Sequence, residues 1–258
     1  MPENDQLLQA VLEKPDDDAP RLAYAAWCDQ SRNPRGEFIR VQIALVRAGE
    51  MADAGRRLEL GSREDRLLRD YRGTWGQPIG AMVDDFSFDR GFIEMVTTSA
   101  RRFLQNAERL FALVPLRHLD LTEVLPVAKE LFASPHLKRL TSLSMDGCQL
   151  TDLHLKEFAE AQGASQLRWL SVAKNHLGLD GADALARSPL SASLQYANFY
   201  GNPVDPTAIY AQENELIMST WLPEEGKLLE LRHGHLAWLR RNGQTMRDLV
   251  PDRFRLAN

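Results

Sequence analysis

His233-Gly234-His235 is the one close histidine pair in this chain of 258 residues. On a strand, H-x-H spacing turns both imidazoles to one face and offers two ligands to a metal ion, the beginning of a metal-dependent hydrolase site. Here the pair follows Leu228-Leu229-Glu230-Leu231, a stretch that reads as helix, and no cysteine is near. A surface or capping role is the expectation, and no metal is expected. The two cysteines could serve as nucleophiles, but Cys28 falls on a helix and Cys148 in a repeated turn position, so both read as packing thiols. The chain has no G-x-x-x-x-G-K, G-x-G-x-x-G, H-E-x-x-H or C-x-x-C motif. Neither catalytic residues nor a cofactor are expected, which leaves recognition as the chemistry to look for.

A leucine template positions the recognition residues. It recurs as Leu116-x-x-Leu119-x-Leu121, Leu140-x-x-Leu143-x-Met145, Leu167-x-x-Leu170-x-Val172 and Leu194-x-x-Ala197-x-Phe199, with starts 24, 27 and 27 residues apart. Eight residues after the last three starts stand Cys148, Asn175 and Asn202, the turn-bonding slot of a leucine-rich repeat. Each unit predicts a short strand with its leucines inward and a helix that returns the chain. Such units bury their apolar faces only by stacking, as a solenoid with parallel strands on the concave side and helices on the convex side. The alternate residues then face outward on the concave side. They are His118, Asp120 and Thr122; Ser142, Ser144 and Asp146; Trp169, Ser171 and Ala173; Tyr196, Asn198 and Tyr200. Trp169 and Tyr196 are expected at one level on neighbouring strands, an exposed aromatic patch such as dominates protein interfaces, or else aromatics that pack on a cap. Arg117 and Arg168 flank the strands as a charged rim.

The returns carry Val127, Ala128, Leu131 and Phe132 before Ser134-Pro135; Leu153, Leu155, Phe158 and Ala159 before Gly163; and Ala182, Leu185 and Ala186 before Ser188-Pro189. Each is apolar on one side and stops at Pro or Gly, as an amphipathic helix does. Upstream, residues 1–75 read as a charge-rich helical module, with a break at Asn33-Pro34-Arg35-Gly36 and a turn expected at Gly61-Ser62. Phe86-Ser87-Phe88 and Phe92-Ile93-Glu94-Met95-Val96 have strand character around an Asp89-Arg90-Gly91 turn, followed by a helix over residues 101–113. The expected fold class is α/β: a helical module (1–75), a repeat solenoid (76–206) and a C-terminal cap (207–258) rich in Trp221, Leu228, Leu229, Leu231, Leu236, Trp238, Leu239 and Phe254.

Composition narrows the partners. A net charge of −5 and a pI near 5.7 lack the basic footprint of a nucleic-acid binder. No apolar run approaches a bilayer's thickness, and the start has no basic stretch followed by an apolar run. With two distant cysteines, the expectation is a cytoplasmic protein with free thiols, binding neither nucleic acid nor membrane.

Residues 21–42 run Arg21-Leu22-Ala23-Tyr24-Ala25-Ala26-Trp27 and then Arg35-Gly36-Glu37-Phe38-Ile39-Arg40-Val41-Gln42. This resembles the bacterial repeat-companion domain, a helical module that precedes repeat arrays with a pattern like R-L-x-Y-A-D-W and R-A-E-F-I-R-x-Q. Arg90-Gly91-Phe92-Ile93-Glu94, Glu230-Leu231 with Trp238-Leu239, and Pro251 with Arg253-Phe254 are similar as well. Ala26 departs from the pattern's Asp, and Cys28 from its Leu. Repeats of 27 residues with a full helix match the long, ribonuclease-inhibitor-like class of leucine-rich repeat; the resemblance implies a helical module ahead of such repeats and adds little about activity. The sequence thus points to a non-enzymatic scaffold or adaptor that docks a protein partner on the concave face. A specific inhibitor or immunity-type binder would be one form of it, and a hydrolase built on His233 and His235 is the alternative.

Overall fold

A computed structural model describes residues 3–48, 54–161, 166–207 and 223–239. The protein is α/β, with six strands in one sheet in the order β1-β2-β3-β4-β5-β6. It divides into two compact units, residues 1–96 with 108–116 and residues 97–107 with 117–258. Among the described residues, no helix is long and apolar enough to cross a membrane.

In the first unit, α1 (Glu3–Glu13) stops before Pro15, and α2 (Asp18–Gln30) starts at Asp17, whose carboxylate accepts from the Ala19 N–H at 2.9 Å. An acceptor there satisfies one of the N–H groups left open at a helix start. Next come α3 (Arg35–Ala48) and α4 (Ala54–Gly76). The expected turn at Gly61-Ser62 is absent, since α4 runs through it. Nothing lies within 4 Å of a side chain at Gly61, so glycine costs this helix only its propensity, about 1 kcal/mol. Val11, Ala25, Ile39, Ile43 and Phe92 form a core, with Leu8, Leu22 and Tyr24 packed on it.

β1 (Asp85–Asp89) and β2 (Phe92–Ser99) are joined by Arg90 and Gly91, with φ of 45° and 87°. Positive φ at both central residues is the hairpin turn that matches strand twist. A side chain at Gly91 would also meet Ile39 Cγ1 at 2.2 Å, so only glycine fits. Two arginines pin the α1–α2 loop to this turn. Arg21, fully buried, pairs with Glu94 at 2.6 Å and donates to the carbonyls of Pro15, Asp89 and Arg90. Arg90 donates to the carbonyls of Pro15 and Asp16 and to Glu94.

In the second unit, β3 (His118–Thr122), β4 (Ser142–Ser144), β5 (Trp169–Ser171) and β6 (Tyr196–Asn198) pair in parallel, each with the next. Leu119, Leu143, Leu170 and Ala197 share one register row, each at most 2% exposed. The leucine template therefore sets the strands and their register as the sequence predicts. The chain reaches β3 after α5 (Ala100–Leu113), and the returns are α6 (Ala128–Phe132), α7 (Asp152–Glu160) and α8 (Leu179–Arg187). The first return is a short helix entered through a 3₁₀ turn at Leu125–Val127.

Asn175 fills its slot as expected. Its side-chain amide donates to the carbonyls of Met145, Val172 and Ala173, and its oxygen accepts from the Leu150 N–H. Asn202 likewise serves the N–H groups of Asn175 and Leu177, while the Cys148 thiol donates to the Leu121 carbonyl at 3.3 Å. Just before the slot, Glu123, Gly147, Lys174 and Gly201 all take positive φ. Two of these are not glycine, so composition alone does not reveal this backbone repeat.

The final described segment holds α9 (Glu224–His233). Trp238 is buried there, its indole N–H donating to Ser191 Oγ at 2.8 Å and its ring 6.2 Å from Phe199. Leu229, Leu236 and Leu239 are buried as well, while Leu231 is exposed. Trp221 and Phe254 lie outside the described residues.

Candidate binding face of the sheet

Register places the outward side chains in rows across β3 to β6. His118, Ser142, Trp169 and Tyr196 form one row, and Asp120, Ser144, Ser171 and Asn198 the next. Strand alternation sets Thr122, Asp146, Ala173 and Tyr200 beyond them on the same side. In the first row Ser142 is small enough for the two large side chains beside it to meet. The His118 and Trp169 rings stack with centroids 5.9 Å apart and planes at 25°.

The expectation of an exposed Trp169–Tyr196 patch needs correction. The two residues are paired in register, but Tyr196 is only 3% exposed, and His118 is also buried. Trp169 is half-buried, and its indole N–H is sealed with no acceptor among the described residues. Tyr200, at 65% exposed, is the open aromatic of this face. Ala173 is buried, Thr122 is exposed, and the remaining polar positions are half-buried.

The other rows form a hydrogen-bonded chain. Asp146 Oδ1 accepts from Ser171 Oγ at 2.6 Å and from the Ala173 N–H at 2.8 Å. The Asn198 amide donates to Ser171 Oγ at 3.0 Å, and Asn198 Oδ1 accepts from the Tyr200 N–H. Burial pushes Asp146 above the usual carboxylate range, against the pull of these donors, and Asp120 adds to the rise. Burial raises Asp120 too, with the Ser144 and Thr97 hydroxyls pulling the other way. The face thus holds two carboxylates whose proton affinity is set by desolvation, beside an aromatic–imidazole stack. Of the expected rim, Arg168 is exposed and Arg117 half-buried.

The histidine pair does not converge on one ligand. α9 ends at His233, and Gly234 follows with φ 77°. His233 Nε2 meets Asp183 Oδ1 at 2.8 Å, and Arg187 and Arg232 share that carboxylate. The exposed His235 lies 3.8 Å from Glu230. Among the described residues, no group of three or more His, Cys, Asp or Glu is arranged to hold a metal ion. Both cysteines are buried, and burial pushes both thiols up, away from the thiolate a nucleophile needs.

Sequence reading missed the buried Arg21–Glu94 pair and the aromatic setting of Arg35. Both join residues from distant segments, and no local periodicity marks them. The geometry defines an α/β protein whose sheet is parallel and in register from β3 to β6. Compared with family models, curated proteins and solved structures, the chain finds no match.

Proposed function

We propose that the second unit is a short leucine-rich-repeat solenoid of the long, helix-backed class, and that a repeat-companion module begins the chain. In this reading the protein is a non-enzymatic cytoplasmic adaptor. Its concave sheet face docks a partner protein and binds neither nucleic acid nor membrane. The observation that carries the reading is the unbroken row register of β3 to β6. Strands about 4.8 Å apart present side chains as a fixed array, so little order is lost on docking. Trp169 and Tyr200 supply aromatic surface, and the Asp120, Asp146, Ser171 and Asn198 rows supply acceptors for a partner's donors. An inhibitor or immunity-type binder would use the same face.

Site-specific photo-crosslinkers test it. Placed at Tyr200 or Ser142, they should trap one protein partner, and at Lys156 on α7 they should trap none. Trp169→Ala should weaken that partner by about thirtyfold, the loss of an interface anchor worth about 2 kcal/mol, with circular dichroism unchanged. Tyr196→Ala reports packing instead, because Tyr196 is buried. A folded Trp169→Ala protein that keeps its partner at full strength would sink the proposal.

A further inference from the structure

Arg35 is the first residue of α3, and Asn33 Oδ1 accepts from its backbone N–H at 3.0 Å. Its guanidinium carbon lies 4.8 Å from the Trp75 ring centre, 5.0 Å from Phe88, 5.4 Å from Phe92 and 5.9 Å from Phe38. Those rings lock one another. Phe38 stacks on Trp75 at 4.7 Å and meets Phe88 edge-on at 5.3 Å.

Six other arginines of this unit hold carboxylates. Arg21 pairs with Glu94, Arg40 with Asp29, Arg47 with Asp18, Arg63 with Glu37, Arg72 with Asp85, and Arg90 with Asp18 and Glu94. Arg35 holds none among the described residues, and its guanidinium makes no hydrogen bond to them. Aromatic faces attract the cation but accept few of its five N–H donors. The side chain is half-buried. Burial draws its pKa down to about 10, so it is charged at neutral pH yet poorly hydrated. A guanidinium held among rings, with no carboxylate partner among the described residues, keeps its fork of donors for two-pronged binding of a planar or tetrahedral oxyanion.

We propose that Arg35 and its ring floor form an oxyanion site that takes a carboxylate or phosphate group from a ligand. The site belongs to the first unit and does not depend on the docking role proposed for the sheet.

The test uses the full chain with ¹⁵N-labelled arginine, following each Nε–H signal while acetate or inorganic phosphate replaces chloride at constant ionic strength. The Arg35 signal should shift saturably, with a midpoint on the order of 1–10 mM, while that of Arg40, already paired with Asp29, stays put. Saturation with acetate alone assigns a carboxylate, with phosphate alone a phosphate, and with both a general oxyanion site. Arg35→Lys, which keeps the charge but loses the fork, should bind the same ion at least about tenfold more weakly, read from the Trp75-region amide signals. Absence of saturation, an equal drift at Arg40, or undiminished binding by a folded Arg35→Lys variant would overturn the proposal. If that variant does not fold, the Arg35 and Arg40 signals of the unaltered protein decide alone.

Discussion

The two units satisfy their buried polar groups in opposite ways. In the second, Asn175 and Asn202 serve backbone groups of their own and the adjoining turns, about one template length away in sequence. In the first, Arg21 and Arg90 reach across 68 to 75 residues to tie the α1–α2 loop to the hairpin turn. The ladder spreads its hydrogen bonds over many equivalent positions, whereas the clamp concentrates charge at one. Damage should therefore be graded along the ladder and abrupt at the clamp.

The largest expected effect is nevertheless on the ladder, where a charge enters the apolar row. Leu170 is 1% exposed, and Leu170→Asp forfeits its burial while desolvating a carboxylate, a loss of about 4 kcal/mol or more. An insoluble product or a collapsed thermal transition is expected; near-normal melting would mean the register is wrong. Next comes Arg21→Met, measured at pH 8. It leaves Glu94 and the Pro15 carbonyl to Arg90 alone and takes the Arg21 donor from the carbonyls of Asp89 and Arg90, and should cost about 3 kcal/mol, much of it recovered when Glu94→Leu is added. If Arg21→Met alone were silent in chemical denaturation, the clamp would be no more important than a rung. Asn175→Ala follows at about 2–3 kcal/mol, because it leaves buried backbone groups without partners. Cys148→Ala should cost less, since a thiol makes the weaker bond.

The last effect is a slope. Burial raises the Glu94 carboxyl to about 7 despite Arg21 and Arg90, above its value of 4.5 in an unfolded chain. The fold thus holds this proton more tightly than the unfolded chain does. The stabilising contribution is complete below about pH 4.5 and is lost as pH rises through about 7. Glu94→Gln should flatten the melting temperature between pH 5 and 7, and an unchanged slope would assign the dependence elsewhere.

Much of the sheet was legible because its determinants are local and periodic. Leucines at fixed spacing named the strands, and Asn175 and Asn202 named the turns. The first unit was legible as helices but not as an assembly. Its Arg21, Glu94, Gln42 and Gly91 look like ordinary surface or turn residues, yet the first two are buried as an ion pair and Gln42 accepts the Gly91 N–H. Gly61-Ser62 misled because turn composition weighs little where a glycine meets open space. For the candidate face, strand alternation was enough to name the two rows that the register pairs, but could not give burial. Tyr196 is covered although its strand position points it outward, since alternation fixes direction and not what lies above.

Ser142 carries an evolutionary consequence. It occupies the gap over which His118 and Trp169 touch, and its own side chain supports neither the leucine row nor a turn. Enlarging it would part the two rings and remake the middle of the face while leaving the scaffold intact. A lineage could therefore acquire a new binding preference through this one position, at little cost to foldability.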